Sequence, residues 1–267
     1  MTSDPILFSK QNSVATITLN RPEARNALSP DMIADLGQAL RSCRSGEVRA
    51  VLLKGSGGAF CSGGDVKDFT NKLEEGGPDA ISQHLRDLAG TLHREVILEI
   101  RRLAKPVIAA IAGVAAGGGF SLMLACDVRI AASNSRFLMA YANIGAPGDG
   151  GSTFLLPRLV GAGKAMDLYL ASQPLSAEAA LEIGLISQVV PAEELDRHAL
   201  ETATRLAQGP TLAYGRFKAL MDRSWTNDLE AQLEAETEGM ADIARTSDFH
   251  EGIRAFTDKR RPWFQGR

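Results

Sequence analysis

Apolar and polar positions alternate over 14–19, the period of a strand with one buried face. A polar turn at 20–28 leads to Ser29-Pro30-Asp31, which has the marks of a helix start: a capping hydroxyl, a proline at the first helical position and an early acid. Met32, Ile33, Leu36 and Leu40 then fall on one face of that helix. The runs 49–53, apolar from Ala50 onward, and 106–112 predict buried strands, and 127–131 and 185–190 predict two more. Residues 70–80, with Glu74-Glu-Gly-Gly-Pro78, read as a mobile loop, and 81–103 as a helix carrying Leu85, Leu88, Leu92 and Val96 on one side. Ser176 caps a short helix that stops at Gly184. From 192 the pattern is helix after helix, broken at Gly209-Pro210, at Trp225-Thr-Asn and at Ser247-Asp. The chain therefore divides into an α/β core over 1–191 and a helical region over 192–267.

Two of the buried strands run straight into glycine turns. The run 49–54 enters Gly55-Ser-Gly-Gly-Ala-Phe-Cys-Ser-Gly-Gly-Asp65, and the run 106–112 enters Gly113-Val-Ala-Ala-Gly-Gly-Gly119. Glycine lets backbone N–H groups approach a ligand with no Cβ in the way. Two such turns facing each other can aim two donors at one oxygen, which is the geometry of an oxyanion hole.

Charge and composition narrow the partners. The small net charge of −3 argues against nucleic acid as the main partner. Lys259-Arg-Arg261 either holds a small phosphorylated ligand or is a solvated helix end. The stretch 106–126 carries no charge and has the length of a membrane span, but Gly113 and the triplet 117–119 would open its backbone in mid-bilayer. A buried strand, turn and helix fits it better. Cys43, Cys61 and Cys126 read as reduced thiols of a cytoplasmic protein, and the opening residues show no leader pattern. Cys61 lies in a reactive-looking loop but has no histidine partner in sequence, and reads as a small apolar filler. His84, His93, His198 and His250 show no metal spacing and read as surface or helix histidines. Dinucleotide, phosphate-loop and serine-nucleophile glycine patterns are each missing a required residue.

Ala59-Phe-Cys-Ser-Gly-Gly-Asp-Val66, the run 105–119 and Cys126-Asp127 resemble the crotonase superfamily, the enoyl-CoA hydratases and isomerases. The likeness extends over nearly the whole chain, including 19–28, 156–161 and 251–262. It implies a spiral of β-β-α units with a C-terminal helical trimerisation region, assembled as a homotrimer or hexamer. It implies acyl-CoA substrates and no permanently bound cofactor, coenzyme A arriving as part of the substrate. By position, Gly64 and Gly118 would supply the oxyanion N–H groups. Ala24, Arg25, Ala59, Gly63, Asp65 and Val66 would line the coenzyme path, and Phe256 and Lys259 would touch the coenzyme of a neighbouring subunit.

The chain departs from the hydratases of that family, which add water with two glutamates. Those positions hold Ser121 and Tyr141, neither of them a base near neutral pH. Both are expected in the substrate pocket, Tyr141 suiting a bulky or cyclic acyl group. Asp149, in Gly148-Asp-Gly-Gly-Ser152, matches the single acid of one isomerase branch and the nucleophile of the aromatic acyl-CoA dehalogenases. The dehalogenases also use a histidine of the central helix; alignment puts Arg94 there, with His93 one residue off, about 100° around a helix. The expectation is an isomerase using Asp149 as acid and base. Hydration, hydrolysis, dehalogenation and acyl-CoA binding without turnover remain as alternatives.

Overall fold

A computed structural model describes residues 4–267; the opening 1–3, read above as carrying no leader, lie outside them. A six-stranded sheet contains β1 (Ile6–Gln11), β2 (Val14–Leu19), β3 (Ala50–Gly55), β4 (Val107–Ile111), β6 (Val128–Ala132) and β9 (Gln188–Val190), adjacent in that order. In this sheet the β1–β2 pair is antiparallel and the other pairs are parallel. The second sheet is small: β5 (Val114–Ala116), β7 (Arg136–Leu138) and β8 (Leu175–Ser176).

The chain visits the two sheets in turn. After β4 it crosses to β5 and enters the helix α4 (Gly118–Ala125), and after β6 it crosses to β7. After β3 it crosses to Cys61, which bridges Ala115 of β5, before entering α2 (Val66–Thr91). This is the expected spiral of β-β-α units. It sets the site, because Cys61, Ala115 and Phe137 lie in register across the second layer. Three residues on from each come Gly64, Gly118 and Ala140, so three loops reach one level of the spiral.

Ser29 caps α1 (Pro30–Ser42), its side chain accepting from the Met32 amide at 3.3 Å. Met32, Ile33, Leu36 and Leu40 are all buried under it, as their spacing predicts. β1 went unread because most of its residues are exposed and its side chains follow no alternation. Residues 70–80 are helical, correcting the loop expected there. Gly77 (φ +70°, ψ −164°) absorbs the break in a single residue and Pro78 starts the next helical stretch, a position that suits proline. Beyond α2 a π-helical turn occupies Leu92–Ile97 before α3 (Leu98–Arg102).

Helices α5 (Ser152–Val160), α6 (Ala162–Ala171) and α7 (Ala177–Glu182) complete the spiral, and α8 (Leu195–Ala207) to α11 (Ser247–Thr257) follow β9. The break drawn at 191 puts α8 outside the core. Yet its Leu195, Ala199, Ala203 and Ala207 pack on Ala50, Leu52, Ile108 and Ile130 and cover one face of the large sheet. The helical tail proper is α9 (Thr211–Arg223), α10 (Leu229–Ala244) and α11. It is tied to the core by buried Lys218, which donates to Asp127 Oδ2 and to the Ile100 carbonyl, each at 2.7 Å, and by Arg49, which donates to Thr211 Oγ1 at 2.9 Å. Among the described residues no helix is long and apolar enough to cross a membrane, and no three metal-ligating side chains group together.

Candidate active site

The two glycine turns abut. Gly63 (φ +101°) and Gly117 (φ +48°) hold backbone conformations that side chains rarely adopt. A Cβ on Gly63 would lie 2.9 Å from the Ala116 carbonyl oxygen and 3.2 Å from the Gly118 nitrogen. A Cβ on Gly118 would lie 3.7 Å from the Gly64 nitrogen. Gly118 is the first residue of α4, where amides have no intrahelical acceptor and the helix dipole favours negative charge. Neither the Gly64 nor the Gly118 N–H has an acceptor among the described residues, so both remain open to a ligand oxygen.

Both amides face a cavity of about 480 Å³, which Asp149 and Tyr141 also line. Its apolar wall includes Leu28, Ile33, Phe69, Leu85, Leu88 and Leu92. Asp149 sits in a loop whose neighbours Gly148 (φ +114°), Gly150 (φ +59°) and Gly151 (φ +78°) all have positive φ. Its Oδ1 accepts the Gly150 N–H at 2.6 Å and meets His93 Nε2. The Gly150 N–H also lies 3.2 Å from His93 Nε2; the shorter contact to Oδ1 takes its hydrogen, and because a carboxylate oxygen only accepts, His93 is assigned the tautomer that donates from Nε2. Oδ2 has no hydrogen-bond partner among the described residues. The Asp149 main-chain carbonyl oxygen accepts the Ser152 N–H at 3.1 Å and has Ser121 Oγ at 2.7 Å and Tyr141 OH at 3.2 Å, the two hydroxyls lying 2.7 Å apart.

His93 is the site residue that sequence reasoning misplaced. Its spacing reads as that of a surface or helix histidine, and alignment on Pro106 places Arg94 at the site position. The π-helical turn resolves the offset. The Leu98 N–H bonds to the His93 carbonyl five residues back, and such a turn takes up one residue more than an α-turn. Arg94 is exposed and lies along α2, its guanidinium 3.2 Å from where a Gly90 Cβ would be. The only sequence signal was the offset itself, since apolar spacing does not announce a π-turn.

Ser121 is fully buried and lies behind the cavity wall, beneath the Asp149 loop, which corrects its expected place in the pocket. Tyr141 does line the cavity, and burial pushes its hydroxyl well above the usual tyrosine value, so it stays an O–H. Cys61 is fully buried with its thiol pushed up to about 12 by desolvation, as a packing residue should be.

The residues assigned to the coenzyme fall into three groups. Ala24 and Arg25 end a short turn tied to the first glycine loop: the Ser62 N–H donates to the Arg25 carbonyl at 3.0 Å, and Ser62 Oγ donates to that of Ala24 at 3.3 Å. Gly63 and Val66 line the cavity, whereas Ala59 is buried and Asp65 pairs with Arg21 at 3.0 Å. Phe256, 87% exposed, and Lys259 stand on the tail and do not reach the cavity of their own chain. Arg260 beside them is engaged by Glu251 at 2.6 Å.

The profile of the enoyl-CoA hydratase/isomerase family matches residues 9–267. The chain is 40% identical over 266 residues to the 1,2-epoxyphenylacetyl-CoA isomerase of Escherichia coli, covering 98% of each protein. It is 34% identical over 259 residues to the short-chain-enoyl-CoA hydratase of Clostridium acetobutylicum, covering 96% of this chain and 95% of that protein. Among solved structures it superposes on the enoyl-CoA hydratase of Bacillus anthracis with a TM-score of 0.90 at 32% identity, over 98% of this chain and all of that one. With abutting glycine turns at one level of a β-β-α spiral, and with likeness along its whole length, the chain belongs to the enoyl-CoA hydratase/isomerase family of the crotonase fold.

Proposed function

We propose that the chain is an acyl-CoA isomerase that moves a carbon–carbon double bond through an enolate. The observation that carries this reading is that, among the described residues, Asp149 is the one carboxylate lining the cavity. Ser121 and Tyr141, where hydratases have glutamates, are bonded to each other and to the Asp149 main chain. One base moves one proton out and back; adding water needs two groups, one to activate it and one to protonate carbon.

In this reading the thioester carbonyl accepts hydrogen bonds from the Gly64 and Gly118 amides. Asp149 Oδ2 takes the acidified proton from carbon, and the electron pair passes into the enolate. The same carboxyl group returns the proton at another carbon, so the double bond shifts and Asp149 is regenerated. Each amide contributes about 2.7–4 kcal/mol of transition-state stabilisation in enzymes with comparable donors. The relative named for a cyclic epoxide substrate, together with Tyr141 at the cavity wall, favours a bulky or cyclic acyl group. A panel of 3-enoyl-, cyclic unsaturated and straight-chain 2-enoyl-CoA esters tests the reading by product analysis. Isomerisation of the first two and slow hydration of the third are expected; fast hydration of the straight-chain ester would overturn it.

The His93–Asp149 contact favours a second reading, in which Asp149 is a nucleophile and His93 activates the water that releases the product. Release of halide or free coenzyme A from the corresponding substrates would select it.

We further propose a homotrimer or hexamer, working in the cytoplasm with no bound cofactor beyond the substrate's own coenzyme A. The tail exposes Phe217, Leu229, Met240, Ile253, Phe256 and Trp263, an apolar surface that needs a partner to cover it. A neighbouring chain would then bring Phe256 and Lys259 to the coenzyme. Light scattering should give a trimer or hexamer mass, and a stable monomer at micromolar concentration would contradict the shared site.

A further inference from the structure

The loop that carries Asp149 has two backbone bonds of its own at that residue: the Ser152 N–H donates to the Asp149 carbonyl at 3.1 Å and the Gly150 N–H to Asp149 Oδ1 at 2.6 Å. Glycines precede and follow Asp149, and Gly148, Gly150 and Gly151 all have positive φ. Such a backbone has more freedom than any other and does not hold one conformation unaided. With so few bonds of its own, the loop takes further fixation from outside.

Ser121 and Tyr141 provide that fixation. Each hydroxyl has a single hydrogen, and three short contacts connect Ser121 Oγ, Tyr141 OH and the Asp149 carbonyl oxygen. If both hydroxyls donated to the carbonyl, their own 2.7 Å contact would have no hydrogen in it. The two shortest contacts order the chain instead: Tyr141 O–H donates to Ser121 Oγ, and Ser121 O–H donates to the Asp149 carbonyl, each at 2.7 Å. Each hydroxyl then depends on the other. The loop also presses on Ser121, since a Cβ on Gly150 would lie 2.7 Å from Ser121 Cβ.

Ser121 stands one turn along α4 from Gly118, and its N–H bonds to the Gly117 carbonyl at 3.0 Å. The helix is buried along its whole length. One rigid element thus carries a donor for the thioester oxygen at its first residue and the anchor for the Asp149 loop at its fourth.

We propose that Ser121 and Tyr141 are positioning residues: through the Asp149 carbonyl they hold Oδ2 at a fixed place relative to the Gly118 amide. The distance between oxyanion donor and proton acceptor decides which carbon loses its proton. This inference rests on the reading of Asp149 as the proton acceptor. A misplacement of about 1 Å at a reacting group costs on the order of 100-fold in rate.

The test compares Ser121→Ala, Tyr141→Phe, their double variant and Asp149→Asn on the isomerisation substrate. Each hydroxyl deletion should lower kcat about 10–100-fold and leave KM within about 3-fold, because the loss is one of alignment. The double variant should fall no more than about 3-fold below the worse single, because both hydroxyls act through one carbonyl. Adding Ser121→Ala to Asp149→Asn should not change the residual rate. Should Ser121→Ala fail to fold, Tyr141→Phe reads the same clamp and keeps its ring against the cavity. Wild-type kcat in the folded hydroxyl variants, beside an inactive Asp149→Asn, would overturn the clamp and leave the base in place. Losses that simply multiply in the double variant would also overturn it. Wild-type kcat in Asp149→Asn would instead overturn the base assignment and the clamp's purpose with it.

Discussion

Asp149→Asn should abolish double-bond migration while leaving acyl-CoA affinity unchanged. The amide has the size of the carboxylate and keeps an oxygen that can accept the Gly150 N–H, now bonded to Oδ1 at 2.6 Å, and the His93 Nε2–H. The main-chain carbonyl and its two hydroxyl partners are untouched. What is lost is the Oδ2 lone pair that can carry away a proton, since an amide is not a base at any physiological pH. General-base catalysis of this kind contributes about 10²–10⁴-fold, and with no second carboxylate lining the cavity among the described residues, the upper part of that range is expected. The measurement is kcat on a 3-enoyl- or cyclic unsaturated acyl-CoA, with calorimetric affinity for a saturated ester alongside. Retained turnover would mean that another group moves the proton. Lost affinity would mean that Asp149 binds rather than reacts.

The readable parts of the fold were those in which a local rule agrees with tertiary packing. Ser29-Pro30-Asp31 starts a helix by capping chemistry alone, and the apolar spacing of Met32 to Leu40 follows its buried face. The glycine turns at 63–64 and 117–118 were legible because their backbones need residues without a Cβ, so sequence and geometry state the same constraint. Punctuation was legible in kind but not in extent: Gly77-Pro78 does interrupt a helix, but by one residue and not by a loop of eleven. β1 escaped because an exposed edge strand carries no burial pattern to read. α8 was assigned to the tail because its partners on β3, β4 and β6 are remote in sequence, and periodicity reports a face without naming what covers it.

The site was half legible for the same reason. Asp149 could be found by its type and its glycine neighbours. Its contact with His93 could not, because the π-turn at 92–97 shifts the register of the central helix by one residue without altering composition. Ser121 and Tyr141 were noted for what they lack. Their link to each other and to the Asp149 carbonyl joins three segments of the spiral and exists only once the chain is folded.

Gly118→Pro should reduce kcat about 10²–10³-fold in a protein that still folds, which is the loss seen when one oxyanion donor is removed. The helix position suits a proline. Gly118 opens α4, and proline is accepted at a first helical residue because its missing N–H had no intrahelical partner. The nearest atom to an added Cβ is Leu28 Cδ1 at 3.1 Å, the far end of a flexible side chain, and the next is 3.7 Å away. Gly64 offers no equivalent experiment: a Cβ there would lie 2.6 Å from the Phe69 ring, so steric strain and donor loss would be confounded. Gly118→Ala is the matched control, because it adds the same Cβ and keeps the N–H. A tenfold or smaller loss for alanine beside a large one for proline isolates the donor. Equal losses would assign the effect to crowding against Leu28, and a folded proline variant with near-native kcat would show that the thioester oxygen is held elsewhere. The enolate pathway depends on this result as much as on Asp149. A carboxylate can take a proton from carbon at a useful rate only if the charge left behind has somewhere to go, and in the proposed pathway that place is the pair of open amides at Gly64 and Gly118.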